Sequence, residues 1–139
     1  MIIDAHNAVL GRLASEVAKK AKIGEEITII NAEEAIITGN KDQILEKYKK
    51  RYERGSKDWG PHYPRVPDRI VRKTIRGMLP YKQQKGKKAL ENITVRMGEP
   101  SEIDTQDAQK IAEASEKALA SNKYIKIKEI SSHLGWQSK

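Results

Sequence analysis

The sequence contains no cysteine. Without thiols it can build neither a disulfide framework nor a thiolate metal site. Phenylalanine is also absent, and aromatic residues make up only 5% of the chain. The core must therefore come from Ile, Leu, Val and Ala, with few large rings to anchor it. No apolar run approaches the roughly 20 residues of a membrane-spanning helix. The opening MIIDAHNAVLG has no basic flank, apolar stretch and cleavage site in the order of a secretory leader. A cytoplasmic protein is expected, and the glycosylation-like triplet Asn92-Ile93-Thr94 is then chance.

Catalytic signatures are missing as well. The three histidines, His6, His62 and His133, lie far apart, with no HExxH and no GxSxG around them. A metal site would need the fold to gather them. His6 and His133 read as structural or surface residues. The strand–loop–helix order of MIIDAHNAVLGRLAS is that of a dinucleotide-binding βα unit, but Gly11 stands where the fingerprint needs three glycines. A Rossmann-like nucleotide-binding enzyme remains the alternative, without its motif. KIKEISSHLGW (Lys126–Trp136) has the look of the first half of a helix-turn-helix. Only three residues follow Trp136, so no recognition helix can follow. A terminal helix docked through Leu134 and Trp136 is the simpler expectation.

What the chain has in excess is positive charge, and its location is informative. Its 139 residues, one domain's worth, carry a formal net charge of +8. Residues 1–40 carry 4 basic and 6 acidic residues, and residues 97–139 carry 6 and 7. Residues 41–96 carry 17 basic and 6 acidic. The whole excess sits in the middle. Near-neutral flanks around a basic centre point to a folded scaffold with one polyanion-binding region at about 41–96.

Ile2–Asp4, Ile27–Asn31, Ile93–Met97 and Tyr124–Ile127 read as strands. Leu10, Leu13, Ala14, Val17, Ala18 and Ala21 recur at helical spacing and end at Gly24. Asn40 can cap a second helix, with Gln43 in the capping-box position. Its apolar face is Ile44, Leu45, Tyr48 and Tyr52; Lys47, Lys50, Arg51 and Arg54 share another stripe. A Pro- and Gly-rich loop runs from Gly55 to Pro67. Asp68 can then cap DRIVRKTIRGML, which Pro80 ends. Ile70, Val71, Ile75, Met78 and Leu79 share one half of that helix. Arg69, Arg72, Lys73 and Arg76 fall within a roughly 100° arc of the other. Asp104 or Thr105 can open an Ala-rich helix on Ala108, Ile111, Ala112, Ala118 and Leu119. Glu129–Gly135 reads as a last short helix. Strands alternating with helices predict an α/β sandwich around a mostly parallel sheet.

The basic centre is organised for nucleic acid. Its cations form one stripe on each of two helices. The intervening loop interleaves Arg54, Lys57 and Arg65 with Trp59, His62 and Tyr63, so that rings and guanidinium groups can stack on unpaired bases while lysines neutralise phosphates. After Pro80, YKQQKGKK shows no core-forming pattern; it reads as an adaptable segment, loose until RNA orders it. An acidic membrane would need a free apolar face, whereas these faces are committed to a core. RNA is favoured over duplex DNA, because nothing resembles a major-groove recognition helix. The expected RNA contacts are Lys50, Arg51, Arg54, Lys57, Trp59, His62, Arg65, Arg69, Arg72, Lys73, Arg76, Lys82, Lys85, Lys87 and Lys88, with no metal, cofactor or small-molecule substrate.

Three segments also carry a family likeness. DAHNAVLGRLAS (Asp4–Ser15), IINAEEAIITG (Ile29–Gly39) and above all IRGMLPYKQQKG (Ile75–Gly86) resemble the universal L-thirteen family of large-subunit ribosomal proteins. GPHYPRVPDRIVRKTIRGMLP is similar to its archaeal–eukaryotic branch. Eukaryotic members carry a longer C-terminal extension, so the end at Lys139 favours an archaeal-type member. The resemblance implies a single-domain, three-layer α/β/α sandwich around a four-stranded parallel sheet in the order 3-2-1-4. It implies a non-enzymatic protein, monomeric within the cytoplasmic ribosome. Such a protein would contact large-subunit rRNA and neighbouring ribosomal proteins and act early in subunit assembly. Within the signature, Arg76 is expected to face RNA, Gly77 to permit a close backbone approach, and Met78 and Leu79 to pack. Arg12 also fits the family pattern, facing either RNA or a nearby acid.

Overall fold

The computed structural model describes residues 1–54, 63–101, 105–111 and 123–137. β1 (Ile2–Asp4) leads into α1 (Leu10–Lys22), and β2 (Ile27–Ile30) follows. All six apolar positions expected of α1, from Leu10 to Ala21, are buried. The helix stops where the chain turns left-handed at Gly24, φ +96°. There the Gly24 and Glu25 N–H groups donate back to the carbonyls of Ala21 and Lys20, which uses carbonyls a helix end otherwise leaves unpaired.

β2 is the middle of a parallel sheet, with β1 on one side and β4 (Ile93–Val95) on the other. Ile3 pairs with Ile29, and Ile29 with Val95. Ile27, Ile29 and Ile30 are at most 1% exposed, as a strand covered on both faces requires. The described residues form three strands in this sheet, where four were expected. On the free edge of β1, Gln109 makes an isolated parallel bridge to Ile3. Its N–H donates to Ile2 O and its carbonyl accepts from Asp4 N–H, both at 2.9 Å.

That bridge corrects the Ala-rich helix expected from Asp104 or Thr105. Thr105–Asp107 form one 3-10 turn, and Ala108 to Ile111 are not helical. Edge donors and acceptors on β1 take the backbone into pairing, a long-range demand that local helical spacing cannot register. Residues 112–120 of the expected helix lie outside the described residues.

A second, antiparallel pair was only half foreseen. β3 (Ile36–Thr38) pairs with β5 (Tyr124–Lys126), Ile37 opposite Ile125. Ile127, expected to end the last strand, instead begins α5 (Ile127–His133). α2 (Lys41–Glu53) starts as expected at Asn40, whose side chain accepts from the N–H groups of Asp42 (3.0 Å) and Gln43 (3.4 Å).

α3 (Pro67–Gly77) begins one residue earlier than its expected cap. Pro67 occupies the first turn, where its fixed φ and missing N–H cost nothing; Asp68 accepts from Arg69 N–H at 2.8 Å inside that turn. The basic segment after Pro80 is not loose. α4 (Gln84–Glu91) is helical and packs on α1. Its buried residues are Gly86 and Ala89, with Leu90 partly buried beside the core. Glycine and alanine three apart make a narrow stripe, which a search for bulky apolar residues passes over. Gly86 lies so close to the Pro80–Tyr81 turn that an added Cβ would stand 1.9 Å from the Pro80 carbonyl oxygen. Gly86, not Gly77, therefore makes the close backbone approach; at Gly77 a Cβ would meet nothing within 4 Å. Leu79 is buried as expected, but Met78 is 40% exposed and is not a packing residue.

Candidate nucleic-acid interface

Three helices contribute cations to one surface, and tyrosines join them. Lys47, Lys50 and Arg51 on α2 and Arg54 just past its end are exposed and line a shallow groove of about 340 Å3 together with Gln43 and Glu46. The Arg51 guanidinium carbon lies 5.4 Å from the Tyr48 ring centre and 5.7 Å from that of Tyr63. Tyr63 also receives the Lys73 ammonium of α3 at 5.3 Å. One ring thus brings the stripes of α2 and α3 together. Tyr48 and Tyr63 meet edge to face at 5.8 Å, a favourable ring geometry. Burial, with help from Tyr63, pushes the Tyr48 hydroxyl up to about 12 despite nearby Arg51. Tyr48 is therefore a neutral anchor beneath the cations.

One turn along α3, Arg76 is exposed, and its guanidinium stacks over Tyr81 at 4.2 Å. Tyr81 leads into α4, which displays Lys85, Lys87 and Lys88, all exposed, as is Lys82 before it. Among the described residues no carboxylate lies within ion-pair distance of Arg51, Arg54, Lys73, Arg76, Lys82, Lys85, Lys87 or Lys88; Lys50 meets only Glu46, 3.3 Å away on its own helix. Arg69 is also exposed. Arg65 is exposed and reaches the Tyr52 hydroxyl at 3.5 Å.

Arg72 is different. It is half-buried, and its guanidinium donates to Ile93 O at 2.6 Å and Leu90 O at 3.3 Å. It fastens α3 to the end of α4 and the start of β4. Helical spacing placed it on the outward stripe, and only the packing of α4 shows what its tip meets. Lys57, Trp59 and His62 lie outside the described residues. Lys47, Tyr81 and Gly86 were not among the expected site residues. Tyr81 was legible at most as an aromatic just beyond a helix-ending proline.

A second cluster of charges is drawn from both flanks of the basic centre. The Glu34 carboxylate accepts from Lys126 and, at 3.0 Å, from Lys128, with His6 Nδ1 at 3.7 Å. Its carboxyl is held below the ordinary value of 4.5, chiefly by the Lys126 hydrogen bond, against an opposing push from burial and with further help from Lys128. Beside it, Glu33, Met97, Gly98, Lys128, Trp136 and Gln137 help line a cavity of about 620 Å3. The terminal helix docks through Ile127 and Ile130, both fully buried, with Leu134 buried just past its end and Trp136 half-buried. Among the described residues no cluster of His, Cys, Asp and Glu could hold a metal, and no helix is long and apolar enough to cross a membrane. Gly11 lies in the first turn of α1, with nothing within 4 Å of where a Cβ would stand.

The model of the family described as ribosomal protein L13 matches residues 1–102. The chain belongs to that family. Among L13 relatives, the Methanosphaera stadtmanae protein named large ribosomal subunit protein uL13 is 47% identical over 138 residues, covering 96% of each chain. The Methanosarcina barkeri protein of the same name is 46% identical over 135 residues, again 96% of each. The Archaeoglobus fulgidus protein, also so named, is 44% identical over 137 residues, covering 98% of this chain and 88% of its own. The L13 family match spans β1 to β4 and therefore contains the entire basic face.

Proposed function

We propose that the protein is a non-enzymatic component of the large ribosomal subunit that binds large-subunit rRNA through the α2–α3–α4 face. It takes part in early assembly of the subunit. The observation that carries this reading is a set of cations on three helices, aligned by Tyr63 and Tyr81 and, Lys50 with its Glu46 excepted, left without carboxylate partners among the described residues. Cations so placed are available for phosphates, whose neutralisation supplies most RNA affinity. The names of the archaeal relatives support the ribosomal setting. The contacts are Lys50, Arg51, Arg54, Arg65, Arg69, Lys73, Arg76, Lys82, Lys85, Lys87 and Lys88, together with Lys57, Trp59 and His62 of the intervening loop. Arg72 acts indirectly, by holding α4 in place.

The chain is a single domain, monomeric within the ribosome, with neighbouring large-subunit proteins around it. The Gln109 bridge on the outer edge of β1 supports a fourth strand there, which gives the spatial order 3-2-1-4. The decisive experiment is reconstitution. Full-length protein is added to large-subunit rRNA, with and without reversal of Arg51 and Arg76 to glutamate. Loss of incorporation with a native circular dichroism spectrum supports the reading; undiminished incorporation removes the α2–α4 face from it.

A further inference from the structure

We infer that Tyr81 is a positioning residue that holds the Arg76 guanidinium as a ready-made fork for one RNA phosphate. The inference rests on the rRNA-binding reading and adds to it how this part of the face is organised. A loose arginine loses rotamer freedom on binding, and a fork already fixed in place loses less. Here the guanidinium carbon lies 4.2 Å from the Tyr81 ring centre. Arg76 is exposed, stands in the last turn of α3, and has no carboxylate within ion-pair distance among the described residues. The carbonyl end of the helix also favours its charge.

The ring itself is held by backbone. Pro80 restricts the turn, Tyr81 N–H donates to Leu79 O at 2.8 Å, and Gln83 N–H donates to Pro80 O at 2.9 Å. Gly86 closes α4 against the same carbonyl. One face of Tyr81 is thus occupied by the protein's own cation and is not a platform for a base. A planar fork with bidentate geometry suits a phosphate. A guanine edge is the competing ligand, and the salt dependence of binding separates the two, because only a phosphate contact releases counterions.

The test measures binding of the full-length protein to a large-subunit rRNA transcript over a salt series. Arg76→Gln should weaken binding and make the log–log salt slope shallower by about 1. Tyr81→Leu should weaken it about 2- to 5-fold, the range of an exposed cation–π contact. Tyr81→Phe should bind like the wild type. Arg76→Lys, which keeps the charge but not the fork, should bind more weakly. In the Arg76→Gln background Tyr81→Leu should cost nothing more, a result that a merely structural role for the ring does not produce. Equal losses in both backgrounds, a loss in Tyr81→Phe, or full affinity in Arg76→Lys would each overturn the inference. So would weaker binding of Arg76→Gln with an unchanged salt slope, which assigns the fork to a base. Failure of the wild type to bind the transcript at low salt overturns the rRNA-binding reading itself.

Discussion

The two charged regions use the same residue types in opposite ways. Around Glu34, Lys126, Lys128 and His6 converge on one carboxylate from the two ends of the chain. The two lysines are consumed internally and tie β5 and α5 to the turn at Ala32–Glu34. On the α2–α4 face the cations lean on tyrosine rings instead. A ring orients a cation without neutralising it, whereas a carboxylate both orients and neutralises. Positive charge on the first region is a fastening, and on the second it is an offer to a polyanion.

The largest expected difference between the regions is their salt response. If the face neutralises about six to ten phosphates, affinity for large-subunit rRNA should fall about 10³–10⁵-fold between roughly 50 and 200 mM salt. Filter binding across that range checks it, and a flat response would erase the distinction. Next comes charge reversal. Arg76→Glu should weaken rRNA binding at least about 10-fold, on the scale of about 1.5–3 kcal/mol for a charge-assisted hydrogen bond. Lys128→Glu, at the Glu34 cluster, should lower stability and leave affinity for RNA within about twofold, since its charge lies off the proposed face. Equal losses of affinity at the two positions would mean that both clusters meet RNA.

The same contrast explains how much could be read in advance. α1, the Asn40 cap and, Arg72 excepted, the two basic stripes are local patterns, and the structure keeps them. The strand pairing of Gln109 and the β3–β5 ladder depend on partners far along the chain, and helical or apolar spacing is silent about those. α4 was hidden because glycine and lysine read as loop residues; what requires glycine at position 86 is the Pro80 carbonyl beside it. Arg72 and Arg76 lie four apart on one stripe, yet one meets carbonyls and the other a ring and solvent. Angle on a wheel cannot separate them, because the difference belongs to the neighbouring element.

Two substitutions sharpen that last point through stability. Gly86→Ala should destabilise the fold by about 1–3 kcal/mol, the usual cost of overpacking, because the new methyl meets backbone. Gly77→Ala, at the end of α3 and facing open space, should be neutral or slightly stabilising, as helix propensity favours alanine. Urea unfolding of the two variants checks the pair. Similar stability for both would mean that α4 does not seat against the Pro80 turn, and the adaptable segment expected from sequence would be restored.

The smallest effect is expected at Glu34, and there the sign is set by its lowered pKa. A carboxyl held below its ordinary 4.5 in the folded protein contributes stability that is fully present above that value. The contribution fades as pH falls through the lower folded value. Glu34→Gln should therefore cost about 1 kcal/mol near neutral pH, the scale of one net hydrogen bond, and the gap to wild type should narrow only below about pH 4.5. Its rRNA affinity should stay within about twofold of wild type, because removing one enclosed negative charge leaves the α2–α4 cations where they are. Thermal melts from pH 7 to pH 3 beside a binding isotherm measure both quantities. A gap that persists unchanged at low pH would mean that Glu34 stabilises by packing rather than by charge, and that the Lys126–Lys128 cluster is not the fastening its geometry describes.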